Sequence, residues 1–187
     1  SNINQFGALA MAGCGSYSKI EGFGFIPVTC FSQALTTFIG QNLGAKEYDR
    51  AKKGALFGTI CGIGIAEVIG IAVFFFSPYL IAAFGGDQRA IEYGIAEAHT
   101  IALFYCLLAF SHCMAAIQRG AGRSIVPMFV MMIVWCGVRV TYISIVIRII
   151  PVINVIYWAY PLTWFISSVI FLILFLKTDW IHGLEKQ

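Results

Sequence analysis

The chain has 187 residues, of which 59% are hydrophobic and 11% charged, with a net charge of +3 and a mean hydropathy of +0.84. A soluble domain carries roughly 25% charged residues, so this composition excludes a freely soluble protein and selects a membrane one. The small, scattered positive charge gives no nucleic-acid surface, and six cysteines in apolar stretches without C-x-x-C spacing read as small packing residues rather than a disulfide framework or zinc site.

Apolar stretches of the length that crosses a bilayer, roughly 17 to 25 residues, predict helices over 22–43, 54–77, 93–117, 125–147 and 155–176, each bounded by Gly, Pro or charge. Residues 1–18 are too short to span and read as part of a helix. With no basic leader and no initiator Met, the chain is expected to begin inside a helix of a longer protein. The predicted fold is therefore all-α, a polytopic membrane bundle of five complete transmembrane helices plus a truncated first one.

In the 22–43 stretch, Gln33, Thr37 and Gln41 stand four apart on one face, with Thr36 adjacent. Such a polar stripe serves either interhelical hydrogen bonding or the wall of a wet cavity; because Thr readily bonds its own backbone, packing is the simpler reading. Pro27 with Gly22 and Gly24 is expected to weaken or bend the same helix. The following segment, "FIGQNLGAKEYDRAKKG" (38–54), sets six charged side chains into the eight positions from Lys46 to Lys53. One side of the predicted bundle collects Lys46, Arg50, Lys52, Lys53, Arg119, Arg123, Lys177 and Lys186, and the other Lys19, Arg89 and Arg148. Cytoplasmic loops carry the Lys/Arg excess, which puts the 44–53 and 118–124 loops and the C-terminus in the cytoplasm. That rule accounts for the lysines but not for Gln41, Asn42, Gly44 and Ala45.

Across 54–77, Gly54, Gly58, Gly62, Ala66 and Gly70 recur at i+4 and predict a small-residue stripe for close helix approach. Glu67 points about 140° from the middle of that stripe and lies about 20 Å from the start of its span, inside the hydrocarbon. Arg139 lies about 22 Å along its own span. Ionisable groups at such depth cost a few kcal/mol unless paired or hydrated, so Glu67 and Arg139 are read either as an ion pair or, for Glu67, as an ion-binding group. His112 is read as a proton relay or as a core histidine bonded to a backbone carbonyl. Glu97 and His99, whose faces differ by about 200°, read with Glu92 as solvated interfacial groups. Tyr157, Trp158 and Tyr160, in "YWAYPLTWF" (157–165), mark a membrane interface or an outer cavity. Catalysis has no signature here: Gly62-Ile-Gly64 precedes no strand-to-helix turn, and no nucleophile set or metal spacing can be argued.

Three strings, "INQFGALAMAGCGSYSKIEGF" (3–23), "GQNLGAKEYDRAKKG" (40–54) and "IQRGAGRSIVPM" (117–128), together resemble the C-terminal half of multidrug and toxic compound extrusion (MATE) transporters. The motif residues are Gln41, Asn42 and Gly44 in the first loop and Arg119, Gly120, Gly122 and Pro127 in the second. The resemblance implies a twelve-helix plasma-membrane antiporter of two lobes, exporting organic, often cationic compounds against sodium ions or protons by alternating access. Residues 1–187 would form the C-terminal lobe, 1–18 as the outer half of the seventh helix and the five spans as the eighth to twelfth. Its expected partners are the lipid bilayer, an N-terminal lobe of the same parent chain and a small organic substrate, with no cofactor beyond the coupling ion. Asn2, Asn4 and Gln5, with Gln33 and Thr37, are the implied cavity candidates, since amides donate and accept without fixed charge. Some branches of the family carry a cation-binding acid in the seventh helix; residues 1–19 contain no Asp or Glu, which shifts the expected coupling acid to the N-terminal lobe. The alternatives are a lipid-linked oligosaccharide flippase of related architecture, favoured by Arg139 alone, and a non-transport membrane scaffold.

Overall fold

The computed structural model of the chain describes residue 3 and residues 6–182, so the cavity candidates Asn2, Asn4 and Gln5 lie outside the described residues. Five long apolar helices run antiparallel in chain order: α1 (Ala8–Gly44), α2 (Tyr48–Ala82), α3 (Gln88–Gly120), α4 (Ile125–Ile149) and α5 (Asn154–Lys177). A 3₁₀ turn at Ala102–Phe104 interrupts α3, and α4 carries a π-helical segment over Met132–Val138. The first three helices pack on one another, α5 lies against α3, and α4 packs on α5 at the edge.

One expectation is corrected. Residues 8–18 of the expected partial helix and the span 22–43 lie in a single helix, α1, of 37 residues, about 55 Å long. The sequence predicts a span beginning at Gly22, yet the preceding Lys19 and Glu21 are good helix formers, and Gly22 and Gly24 cost only about 1 kcal/mol each against Ala. Pro27 also sits inside α1 without ending it. The long helix tolerates these residues because its flanks are buried: Tyr17, Ile20, Val28 and Leu35 enter the core on either side.

The turns explain two of the sequence motifs. At the end of α1, Glu47 N–H donates to the Asn42 carbonyl (2.8 Å) and Lys46 N–H to that of Leu43 (3.0 Å), the paired bonds that close a helix C-terminus through one left-handed residue. That residue is Lys46, at φ 61°. Asn42 is buried, and its side-chain amide donates to the Phe38 carbonyl at 2.7 Å. The same closure ends α3, with Arg123 N–H on the Gln118 carbonyl (2.9 Å) and Gly122 at φ 80°. Only glycine takes that conformation without strain. Gly120 is demanded for a different reason: a Cβ there would stand 2.7 Å from the Thr36 carbonyl and 2.8 Å from Ile39 Cβ. α1 and α3 therefore cross at van der Waals distance beside both turns.

The small-residue stripe of α2 works as its spacing predicts. Gly54, Gly58 and Gly62 meet Phe38, Leu35 and Phe31 of α1, while Gly70 meets the Ala102 carbonyl of α3. Two apolar clusters fill the interior, one around Tyr17, Tyr105 and Trp164, the other around Ile39, Ile117 and Phe171. Between α3, α4 and α5 the contact is polar: Ser111 Oγ bonds Ser167 Oγ (2.9 Å) and Ser168 Oγ (3.0 Å), and Trp135 Nε1–H donates to Ser167 Oγ (3.3 Å). In lipid such hydroxyls hold helices together where no hydrophobic force does. Cys14 and Cys113 are buried in packing, as expected of them, whereas Cys30 and Cys136 are exposed.

Candidate functional site

The structure does not bring Glu67 and Arg139 together. The 3₁₀ turn at Ala102–Phe104 breaks the backbone ladder of α3 and frees the amide of Cys106, and Glu67 Oε2 accepts that N–H at 3.2 Å. A carboxylate at the start of a restarted helix also meets the positive end of its dipole. Arg139 lies at the end of the π segment and turns into the lobe, where its Nη2 and Nε donate to Thr163 Oγ1 at 2.7 and 3.2 Å. Its guanidinium stands 4.3 Å from the Tyr160 ring centroid and 5.8 Å from that of Trp135, a stacking role to which the planar cation is suited. His112 packs edge-on between the rings of Phe25 (4.9 Å) and Trp135 (5.4 Å). Its Nε2 is buried without a partner among the described residues, so the carbonyl bond expected for it is not made through that atom.

Gln33, Thr37 and Gln41 are exposed on the side of α1 turned away from α2 and α3. Among the described residues they make no interhelical bond; Thr37 Oγ1–H returns to the Gln33 carbonyl at 3.2 Å. Gly44 is exposed, Arg119 half-buried and Pro127 buried at the start of α4. Tyr157 is fully buried and Trp158 51% exposed, while Tyr160 takes its place at the Arg139 pocket.

Two carboxylates that sequence reasoning did not select form the polar interior. Glu97, read above as solvated, is only 3% exposed. The roughly 200° between its face and that of His99 sends Glu97 inward and His99 outward, where His99 stacks on Phe74 and its Nε2 sits 3.1 Å from the Phe74 carbonyl. Glu97 interacts with the Cys14 thiol, and Cys14 Sγ lies 3.7 Å from the Tyr157 hydroxyl, which donates to the Tyr93 carbonyl (3.2 Å). Tyr17 and Tyr105 join their hydroxyls alongside at 3.1 Å. Glu97 Oε2 has no hydrogen-bond partner among the described residues. Glu21, the second acid, lies within electrostatic reach of both Glu97 and Arg139. With Arg139, Trp135, Tyr160, Trp164 and Phe25 it lines a pocket of about 240 Å³.

Glu21 and Glu97 each stand about 34 Å along their helices from the end of the bundle that carries the basic turns. They share one level and face one interior. An unpartnered buried carboxylate is costly unless a proton or a cation satisfies it, and the hydroxyls and carbonyls around it are the hard oxygen donors that small cations take. Among the described residues no three His, Cys, Asp or Glu side chains converge as a metal cluster. The signal that could have found Glu97 was its i+4 relation to buried Ile101 and its i−3 relation to Gly94, which put it on the packed face.

Comparison with known proteins agrees with this architecture. A family model described as MatE matches residues 2–145. The chain is 30% identical over 130 residues to "Probable multidrug resistance protein NorM" of Thermotoga maritima, covering 69% of this chain and 28% of that protein. It is 24% identical over 144 residues to "Probable multidrug resistance protein YoeA" of Bacillus subtilis, covering 75% of this chain and 30% of that one. The matched segment thus spans less than a third of each relative. Among solved structures, the MATE transporter ClbM in complex with Rb+ superposes with a TM-score of 0.84 at 17% identity, over 94% of this chain and 42% of that one. A MATE crystal structure in a bent conformation gives 0.84 at 19%, over 95% and 40%. Five helices, one lobe's share of the solved fold, and a family match over most of the sequence lead to one conclusion: the chain belongs to the MatE family of membrane transporters, not to an enzyme family.

Proposed function

We propose that the chain is the C-terminal lobe of a secondary antiporter that exports organic, often cationic compounds in exchange for sodium ions or protons. In this reading the loops at 44–53 and 118–124 and the C-terminus face the cytoplasm of a plasma-membrane protein, because the basic side chains gather at that end. The observation that carries the proposal beyond the family match is the buried Glu97, whose Oε2 is left without a partner beside Glu21 in the lobe interior. The coupling acids are then in this lobe rather than only in the N-terminal one.

The chemistry follows from the arrangement. A proton or sodium ion entering the lobe neutralises one charge of the Glu97–Glu21 pair and Arg139 offsets the other, while the phenols of Tyr17, Tyr105 and Tyr157 supply neighbouring oxygen dipoles. Arg139, held by Thr163 and Tyr160, keeps a fixed positive charge beside Glu21. Occupancy by a cation changes the electrostatic balance between α1, α3 and α4, and a transporter that rocks its lobes about a midplane site can use that difference to release substrate outward. The exposed amides Gln33 and Gln41 on the free face of α1 are suited to line the cleft against the other lobe.

The test is ethidium efflux from cells expressing the full-length protein, with and without a sodium or proton gradient. Wild type should lower ethidium accumulation in a gradient-dependent way. Glu97→Gln, present at normal level in the membrane, should lose at least tenfold of the initial rate. Absence of any gradient-dependent difference overturns the transport reading, and full activity of Glu97→Gln overturns the role of this lobe in coupling.

A further inference from the structure

At the end of the bundle that carries the basic turns, α2 and α5 diverge and leave a groove of about 490 Å³, floored by α3. Lys52, Leu56 and Thr59 of α2, Met114 of α3, and Leu176 and Trp180 line it. Among the described lining residues Thr59 is the one with a hydroxyl, and it is spent: its Oγ1–H donates to the Ala55 carbonyl at 2.7 Å. The interior therefore asks for hydrocarbon. Its end wall is built. After α5 the chain folds back, with Thr178 N–H on the Leu174 carbonyl (2.9 Å), the Asp179 carbonyl held by Arg123 Nη2 (2.7 Å), and the Trp180 ring stacked on Phe175 at 5.4 Å.

The groove's direction and its charge narrow the occupant. Its lining positions on α2 lie about 110° around the helix from the glycines that meet α1, so it opens away from the polar face of α1. Leu56 is 67% and Leu176 74% exposed on its two rims, which in a membrane-spanning bundle is a lipid-facing surface. Lys52 stands at the mouth and is exposed, and makes no ion pair among the described residues, where the pair within 4 Å is His182–Asp179. Lys46, Arg50, Lys53 and Arg123 share that end of the bundle with the acids Glu47, Asp49 and Asp179, the basic side chains in excess. A lysine at the mouth of an apolar groove between transmembrane helices is placed to take the phosphate of an anionic lipid headgroup, an electrostatic attraction that each basic side chain near the surface supplies.

We infer that this groove is a binding site for an anionic phospholipid, one acyl chain lying along Leu56, Met114 and Leu176 and the headgroup phosphate on Lys52. The inference rests on the membrane-spanning fold and is independent of what the protein transports. The site would tie the ends of α2 and α5 together through a lipid, and would make the stability of the lobe respond to the charge of the leaflet.

Native mass spectrometry of the full-length protein tests it, with dioleoyl phosphatidylglycerol and dioleoyl phosphatidylcholine as the competing probes. Wild type should retain one phosphatidylglycerol with about fivefold preference over phosphatidylcholine, the factor one lysine near the surface supplies. Lys52→Gln should abolish that preference, and Leu56→Trp, which fills the exposed rim without touching the core, should weaken retention of both lipids. Circular dichroism on the same samples establishes that each variant is folded. No headgroup preference in wild type, a preference unchanged in Lys52→Gln, or retention unchanged in Leu56→Trp overturns the inference. So does a photo-crosslinker at position 56 that captures the protein's other lobe instead of lipid.

Discussion

Replacing Glu67 separates a structural carboxylate from a coupling one. Its Oε2 accepts the Cys106 amide at 3.2 Å, where the 3₁₀ turn has interrupted α3. A hydrogen bond to a charged group contributes about 1.5 to 3 kcal/mol, and a carboxylate at a helix N-terminus about 0.3 to 1 kcal/mol more. Glu67→Gln keeps an acceptor in place and loses the charge, so it should cost about 1 kcal/mol. Glu67→Ala removes the acceptor and leaves a part-buried N–H unsatisfied, for about 2 to 3 kcal/mol. Glu67 does not touch Arg139, so a double-mutant cycle of Glu67→Ala with Arg139→Gln should show a coupling energy below about 0.5 kcal/mol. Thermal unfolding of the purified full-length protein in detergent, followed by tryptophan fluorescence, should rank the midpoints as wild type, then Gln, then Ala. Ethidium efflux of the Gln variant should stay within about twofold of wild type, a change of about 0.4 kcal/mol in barrier. An Ala variant as stable as wild type, a coupling energy above about 1 kcal/mol with Arg139, or a dead but folded Gln variant would refute this reasoning.

Three further substitutions probe the turns and the helix crossing beside them. Gly120→Val places a branched side chain against the Thr36 carbonyl and Ile39; overpacking of this kind costs about 1 to 3 kcal/mol, and membrane-inserted yield and melting midpoint should both fall. Lys46→Gly should raise the midpoint, since a lysine at φ 61° bears a left-handed penalty of about 1 kcal/mol that glycine avoids, whereas Gly122→Ala, at φ 80°, should lower it by a similar amount. Equal midpoints for these two variants and wild type would remove the backbone argument.

The five rods, their order, the end at which the basic turns gather and the glycine face of α2 were legible in the amino-acid sequence. Each of these properties is local: hydrocarbon length, charge position and i+4 spacing belong to one helix at a time. The start of the first long helix was not legible, because Gly and charge near residue 22 resemble the bounds of a span. Lys19 and Glu21 look like a loop, yet propensity permits them in α1, and only the burial of Tyr17 and Ile20 on the flanking turns decides that the helix continues.

The site was less legible, because pairing between helices depends on rotation and neighbour choice. Spacing gave Glu67 and Arg139 comparable depths, and depth made them possible partners. Tertiary structure assigned Glu67 to a broken turn of α3 and Arg139 to Thr163 of α5 instead. Glu97 illustrates the converse: the angle between it and His99 was known from the helix period, but which of the two faced inward was fixed only when Cys14 and Tyr157 closed over it. Composition and periodicity determine that a chain must hide in lipid and which stripe of each helix is small or polar. The direction in which a buried charge points is a property of the whole packed lobe, since its cost depends on partners contributed by other helices.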